Sequence, residues 1–287
     1  MKKIVCLVLA CAMLAGTMFA VTSCAGDDGS STTSPTPSPT AEAPTPTPAP
    51  AKLVCGVTEY KPMNYREGGN WTGFDTEFAL LVGEKLGMEV EFQMIEWGLK
   101  FNELNSGAID AIWNGFTATA SEADGTPRIT LCDMSYSYML NTQCVVVRSN
   151  RVGEFTSKDD LEGKTIAAES GSAGESKAND LVGDAGSVIG VGQQINTFLE
   201  VMTGAVDGAV IDVILAQELT GTGDYASLTI AFELDPEVYA IGFRIGDPLR
   251  DRVNEAMLEL YNNGTLLLLA SKYDLQDRFL VDTAFGQ

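Results

Sequence analysis

Short apolar runs alternate with amphipathic stretches along the chain from residue 52 onward. This pattern predicts strands at residues 53–57, 89–94 and 108–113 and helices at residues 75–87 and 97–107. Asp75 is placed to cap the first helix, and Gly87 and Gly107 are placed to end the two helices. Because strands alternate with helices, we expect an α/β fold with a parallel sheet and βαβ connections.

The unit that ends at Gly115 is repeated about a hundred residues later. LNSGAIDAIWNG at residues 104–115 parallels VMTGAVDGAVID at residues 201–212. When the two copies are aligned on their glycines, Gly115 and Asp212 both fall at the exit of a strand. Ligands of open α/β sheets bind beyond the carboxyl ends of strands. We therefore expect two α/β lobes with a cleft between these two exits.

The remaining sequence predicts further elements of the same kind. Residues 165–168 form a strand, after which Gly171 and Ser172 open a helix whose free N–H groups suit an anion, although many such turns bind nothing. Near the end, Asp247-Pro248 begins a helix that stops at Gly264, and its apolar side chains form one core face.

The N-terminus has the pattern of an export signal. Two lysines precede an apolar run that is too short to span a bilayer, so residues 1–23 read as a signal peptide. Small residues flank Cys24 in a pattern that resembles a bacterial lipobox; the alternative is ordinary cleavage with Cys24 incidental. Residues 24–51 are rich in Ser, Thr and Pro and predict an extended tether between a lipid anchor and the folded part.

The amino-acid composition argues against several classes of function. A net charge of −21 with no histidine argues against a nucleic-acid partner and against a metal or triad centred on histidine, so we expect neither metal nor cofactor. Cys55, Cys132 and Cys144 remain outside the signal and the lipobox, which permits one disulfide plus a free thiol. The alternative is that all three are small buried apolar residues.

A series of motifs in order carries a family resemblance. These are Tyr60-Lys61-Pro62, GFDTEFALLVGEKLG, LNSGAIDAIWNGFTAT, residues 133–136, DLEGKTIAAESGS, GAVDGAVID and AMLELYNNGT. The chain resembles extracytoplasmic solute-binding proteins of family 3, the polar amino-acid class with a type II periplasmic-binding-protein fold. The resemblance implies a larger lobe from residues 52–140 plus 238–287 and a smaller lobe from residues 141–237, joined by two hinge strands. It also implies a monomer that closes on its ligand and delivers it to an ABC permease at the cell membrane.

The resemblance also assigns the ligand contacts. Asp212 would bind the α-ammonium of an amino acid beside the Gly115 carbonyl and the Thr117 hydroxyl. The backbone N–H groups of Thr117 and Ser172 would bind the α-carboxylate, and Gly171 belongs to the same glycine-rich turn as Ser172. These pairings make physical sense because a desolvated charge is costly unless it is paired. The alternatives are a solvated strand-end carboxylate for Asp212 and local turn chemistry for Thr117.

The sequence departs from the family where an arginine normally grips the α-carboxylate. Glu122 occupies that position in this chain, and the segment is about four residues longer than usual. Arg128, at the end of the longer segment, is a candidate to supply the missing contact. The alternative is an exposed loop arginine, in which case the ligand is not an ordinary α-amino acid.

Side-chain selectivity is expected from residues near the first strand exit and the hinge. The candidates are Glu59, Tyr60, Tyr65, Trp113, Asn114, Phe116, Asn141 and Gln143. Aromatic side chains at such positions are often simply part of the core.

Two other functions stay open. Some proteins of this fold are dehydratases, and a cleft carboxylate such as Glu122 or Glu169 could serve as an acid or base, although no partner for it is evident. The same fold also serves as the sensing module of a membrane receptor.

Overall fold

The structure, a computed structural model, describes residues 51–286. The predicted signal peptide, Cys24 and nearly all of the predicted tether lie outside the described residues. The strands are β1 Lys52–Val57, β2 Tyr65–Glu67, β3 Asn70–Thr72, β4 Glu89–Met94, β5 Ala111–Ile112, β6 Asp133–Met134, β7 Ser137–Arg148, β8 Thr165–Glu169, β9 Ser187–Val191, β10 Gly208–Asp212, β11 Leu228–Tyr239, β12 Gly242–Phe243 and β13 Phe279–Asp282. The α-helices are α1 Phe74–Leu86, α2 Lys100–Ser106, α3 Ala173–Val182, α4 Gln194–Thr203, α5 Val213–Leu219, α6 Leu249–Asn262 and α7 Thr265–Lys272.

The first lobe is built on a five-stranded sheet in the order β4-β1-β5-β12-β6. Its strands β1, β4 and β5 run parallel, as the alternation of strands and helices predicts. β12 pairs antiparallel with both β5 and β6. The predicted third strand is shorter than expected, because only Ala111–Ile112 pairs with a neighbour.

The second lobe is built on a six-stranded sheet in the order β11-β7-β10-β8-β9, and β13 pairs with the start of β7. The strands β8, β9 and β10 are parallel, whereas β7 and β11 lie antiparallel to their neighbours. The chain leaves the first sheet after β6, enters the second at β7, and returns from β11 to β12. The two long strands β7 and β11, of 12 residues each, therefore connect the lobes. The lobe boundaries given above stay a prediction.

The helix ends explain the glycine pattern of the sequence. Gly87, Gly107 and Gly204 each cap a helix in the left-handed conformation that favours glycine, so the two copies of the repeat end their helices alike. The prediction that Asp75 caps α1 was wrong. Gly73 holds that position without a side-chain cap, and Asp75 lies in the first turn with its carboxylate turned inward. Likewise α6 begins at Leu249, one residue beyond the predicted pair Asp247-Pro248.

All three described cysteines are buried and free, so the alternative of small buried apolar residues is confirmed, and the disulfide that their number permits does not form among them. Cys55 and Cys144 pack in the largest apolar cluster, and Cys132 packs in a second cluster of the first lobe. Within residues 51–286, no helix is long and apolar enough to cross a membrane.

Candidate functional site

The carboxyl ends of strands from both lobes meet at one small cavity. Trp97, Asn114, Gly115, Thr117, Arg128, Glu169, Ser172, Ala173, Gln194 and Asp212 line it. Gly115 and Asp212, the two strand exits that the repeat aligned, therefore face the same space. The prediction that the cleft lies between these exits is confirmed.

The register of the strands places two acidic side chains, Asp212 and Glu237, close together beside this cavity. In the second sheet Asp212 of β10 lies opposite Gln143 of β7, and Glu237 of β11 lies opposite Asn141 of β7. Because side chains two residues apart share a face of a strand, all four groups meet on one side. The Nδ2 group of Asn141 donates to Asp212 at 2.5 Å and to Glu237 at 2.6 Å. The Nε2 group of Gln143 donates to the same two carboxylates at 2.7 Å each.

Further donors complete the surroundings of Asp212. Gln194, at the start of α4, donates to its second oxygen. The Tyr239 hydroxyl donates to its first oxygen at 2.9 Å, and the Tyr60 hydroxyl lies 2.5 Å from that of Tyr239. Since Tyr239 uses its proton on Asp212, Tyr60 donates to Tyr239. Tyr60, a predicted site residue, thus acts on the cavity through another side chain.

These carboxyls are buried without a cation beside them. Asp212 and Glu237 accept hydrogen bonds from neutral groups alone, and no lysine or arginine of the described chain forms an ion pair with either. Burial raises the pKa of Asp212, and burial together with the charge of Asp212 raises the pKa of Glu237 to about 7. A buried carboxylate of this kind gains strongly from a cationic partner.

The loop after β5 forms the wall contributed by the first lobe. The backbone N–H of Gly115 donates to Asp75 at 2.7 Å, and the Tyr138 hydroxyl donates to the same carboxylate oxygen at 2.9 Å. Asn114 is held by Thr58 and Asn64. Gly115 has a φ of 56°, and a Cβ there would lie 2.4 Å from the Tyr60 ring, so a larger residue does not fit. The hydrogen bond from Gly115 to the buried Asp75 carboxylate and the close packing of Gly115 on Tyr60 hold this loop in place.

The longer segment before Arg128 closes on itself. The N–H of Glu122 donates to the Thr126 carbonyl, and the N–H of Arg128 donates to the Ala120 carbonyl, which brings the end of the segment back beside its beginning. Arg128 is buried, so the alternative of an exposed loop arginine was wrong. Its guanidinium donates from Nη1 to the Thr117 carbonyl and from Nη2 to the Gly171 carbonyl, at 3.0 Å each. Arg128 thus lies at the edge of the cavity, in contact with both lobes.

Glu122 forms ion pairs with both cations at this edge. One oxygen of its carboxylate lies 2.7 Å from Nε of Arg128, and the other lies 2.8 Å from Nζ of Lys100. Lys100 also donates to the Gly171 carbonyl at 2.9 Å. Burial, and next the charge of Arg128, lowers the pKa of Lys100 to about 8. Glu122 would repel a ligand carboxylate if it were alone, but the two adjacent positive charges reduce that repulsion.

At one place the backbones of the two lobes come so close together that only glycine fits between them. Gly171 has a φ of 74°, and a Cβ there would lie 2.7 Å from Cα of Gly98 in the first lobe. Ser172 follows as the N-cap of α3, and its hydroxyl accepts from the N–H of Glu175 at 3.0 Å. The Gly171 carbonyl can meet Arg128 and Lys100 because no side chain separates the two backbones.

Eight predicted site residues lie outside the lining of this cavity: Glu59, Tyr60, Tyr65, Trp113, Phe116, Asn141, Gln143 and Gly171. The hydrogen bonds of Tyr60, Asn141, Gln143 and Gly171 are described above. Glu59 pairs with Arg66 near the surface. Trp113 packs edge-on against Phe78, and Phe116 packs against Trp97, both in the core. For the two aromatic residues the structure favours the core alternative.

Sequence reasoning left out Lys100, Gln194 and Glu237, and it named Glu169 only as a possible acid or base. A signal was available for Glu169, since it ends β8 directly beside β10, and the carboxyl ends of parallel strands meet at one edge. Glu237 and Tyr239 lie on the same face of β11. The alternation of side chains along a strand predicts this, but only once β11 is known to be a strand. Nothing local marks Lys100, whose position depends on the packing of α2 against the turn of the other lobe.

Known proteins match the chain over nearly its whole described length. The arginine-binding extracellular protein ArtP of Bacillus subtilis (strain 168) is 28% identical over 278 residues, covering 95% of this chain and 98% of that protein. The L-cystine-binding protein TcyA of the same strain is 28% identical over 223 residues, covering 76% of this chain and 79% of that protein. A solved structure of an ancestral arginine-binding protein bound to arginine superimposes with a TM-score of 0.72 at 27% identity, covering 78% of this chain and 98% of that one.

These comparisons confirm the two-lobed α/β fold and the resemblance drawn from the motifs. The relatives are binding proteins, which supports binding rather than catalysis and argues against the dehydratase alternative. Residues 53–276 match the bacterial extracellular solute-binding proteins of family 3, a description that implies a location outside the cytoplasm. The chain therefore belongs to the bacterial extracellular solute-binding proteins of family 3.

Proposed function

We propose that this chain is the ligand-capturing lipoprotein of an ABC importer and that its ligand is an amino acid bound between the two lobes. The observation that carries the proposal is the buried Asp212 carboxylate, which faces the cavity with neutral donors and no ion-pair partner among the described residues. An α-ammonium group would supply the missing charge and form charge-assisted hydrogen bonds.

The opposite side of the cavity suits the α-carboxylate. Thr117 and Ser172 line it from the two lobes, and Arg128 lies beside them with two of its five donor hydrogens not used by Glu122, Thr117 or Gly171. In our proposal the carboxylate binds the backbone N–H groups of Thr117 and Ser172 and the remaining donors of Arg128. An amino acid would then bridge an acidic wall and a cationic edge.

The proposed hinge is formed by the two connecting strands β7 and β11. Ligand binding would close the lobes, because the contacts proposed for it come from both of them. Lys100 and Arg128 of the first lobe already bind the Gly171 carbonyl of the second, which supports a closed arrangement here. The lipidated Cys24 and the tether would keep the protein at the membrane, and the permease would receive the ligand from the closed form.

Ligand screening tests this proposal. The two relatives named above bind different amino acids, arginine and cystine, at the same 28% identity, so the ligand has to be measured. The mature chain, made soluble by Cys24→Ser, would be melted with each of the twenty amino acids and with cystine. A ligand that binds only the folded protein raises its melting temperature in proportion to RT ln(1 + [L]/Kd). A rise with one or a few amino acids is expected; no rise with any of them would refute an amino-acid ligand.

A further inference from the structure

Glu169 is a cavity residue that the proposed amino-acid contacts do not use. It ends β8 and is 2% exposed, and its carboxyl lines the cavity together with Asp212 and Arg128. Its Oε1 atom is buried and has no hydrogen-bond partner among the described residues. A buried polar atom without a partner is costly, so a group that supplies one gains free energy on binding.

Carboxyl groups outnumber cations around the cavity, because Glu122, Glu169, Asp212 and Glu237 face Lys100 and Arg128 among the described residues. The cations nearest to the cavity, Lys100 and Arg128, are both paired with Glu122. Asp212 and Glu237 have only neutral donors. Burial, and next the charge of Asp212, raises the pKa of Glu169 to about 8. A cationic group of the ligand beside Glu169 would favour the ionised form of this carboxyl, since a nearby positive charge lowers the pKa of an acid.

We propose that Glu169 is a specificity-determining residue that binds a second cationic group of the ligand, so that the cleft selects amino acids with a positively charged side chain. One cationic group, the α-ammonium, would lie at Asp212, and the other would donate a hydrogen bond to the unpartnered Oε1 atom of Glu169. This inference rests on the proposed function, because it takes the ligand to be an amino acid held between the lobes. Guanidinium and ammonium groups both fit the requirement, since each donates several hydrogen bonds while carrying charge.

Matched pairs of probes separate charge from shape. L-arginine and L-citrulline have nearly the same shape, but citrulline carries a neutral ureido group; L-lysine and L-norleucine form a second pair of this kind. Isothermal titration calorimetry of the mature Cys24→Ser chain would give the dissociation constant of each probe. We expect the charged member of at least one pair to bind at least about tenfold more tightly, the effect of one charge-assisted hydrogen bond.

The variant Glu169→Gln removes the charge while keeping the size of the side chain. It should reduce that preference by about tenfold or more and leave the affinity for the neutral member nearly unchanged. Glu162→Gln is the matched control, because Glu162 lies in the same lobe on the exposed surface and should keep the preference. Glu169→Asp, which retains the charge, should keep part of the preference and serves as the second variant if Glu169→Gln does not fold.

The outcomes distinguish the two proposals. If the wild-type chain binds an amino acid but shows no preference for the charged member in either pair, the role of Glu169 is refuted while the amino-acid ligand stands. A loss of affinity in Glu169→Gln that is equal for charged and neutral probes also refutes it, since a merely structural role would act on both. If the wild-type chain binds no amino acid at all, the proposed function itself fails.

Discussion

The carboxylate of Asp212 offers the sharpest test of how the cavity works. Asp212→Asn keeps the size of the side chain but removes its charge. No cation of the described chain pairs with Asp212, so in the complex the α-ammonium would be its only charged partner. A hydrogen bond between charged groups contributes about 1.5–3 kcal/mol, and an unpaired buried charge costs more. We expect binding to weaken by at least about 2 kcal/mol, which is about 30-fold in Kd.

The same substitution should not destabilise the ligand-free protein. Asp212 and Glu237 share the amide donors of Asn141 and Gln143, so removing one carboxylate relieves repulsion between the two. The carbonyl oxygens of Asn141 and Gln143 are buried without partners, and a flip of either amide lets it accept from the new Asn side chain. The melting temperature of the ligand-free variant should therefore equal or exceed that of the wild-type chain.

Calorimetry with the best ligand of the screen, combined with thermal melting of the ligand-free protein, measures both effects. Asp184→Asn is the control, because Asp184 is exposed in the same lobe. A change in binding below about 0.5 kcal/mol would remove Asp212 from the ligand contacts. A parallel loss of affinity and of melting temperature would refute the reasoning too, since it would mean that Asp212 is needed for folding.

Three further expectations follow from the site and from the chain's N-terminus. Arg128→Gln should weaken the binding of arginine by about tenfold or more while leaving agmatine, which lacks the carboxylate, unchanged in calorimetry; an equal loss for both would make Arg128 a structural residue. The pKa values of Glu169, Glu237 and Asp75 are raised to about 8, 7 and 7, chiefly by burial. Because these carboxyls are protonated when folded but ionise on unfolding above pH about 4.5, the melting temperature of the ligand-free protein should fall as pH rises from 5 to 8, and a steady rise would contradict this. Cys24→Ser should move the protein from the detergent phase to the aqueous phase after expression in a lipoprotein-processing bacterium, and retention in the detergent phase would place the anchor elsewhere.

The sequence predicted the elements whose signals are local. Gly107 and Gly204 end equivalent helices with nearly the same backbone angles, φ 78° and 77°, and this is why the repeat located the cleft. Gly115 and Asp212 could be placed together because the carboxyl ends of strands in two facing lobes have to meet. Apolar periodicity likewise identified the core face of α6.

Contacts that cross from one lobe to the other could not be predicted in this way. Lys100 lies on α2 with no local feature to mark it, and it enters the site only because α2 packs against the turn at Gly171. Asp75 reads as a helix cap from its neighbours, but burial and the N–H of Gly115 draw its carboxylate inward. In both cases the partner lies 40 or more residues away along the chain, beyond the reach of any pattern of spacing.

The last strand has a practical consequence for measuring ligand capture. β13 pairs with the first residues of β7, one of the two strands that connect the lobes, and Phe279 packs against Phe74 of the first lobe. A fluorescent reporter fused a few residues beyond β13 would be attached beside this connecting strand, where the proposed closure of the lobes would change its surroundings. A reporter at the far N-terminus would be separated from the folded part by the predicted tether and would be insensitive to that change. This protein therefore suits the design of an optical ligand sensor read out from its C-terminus.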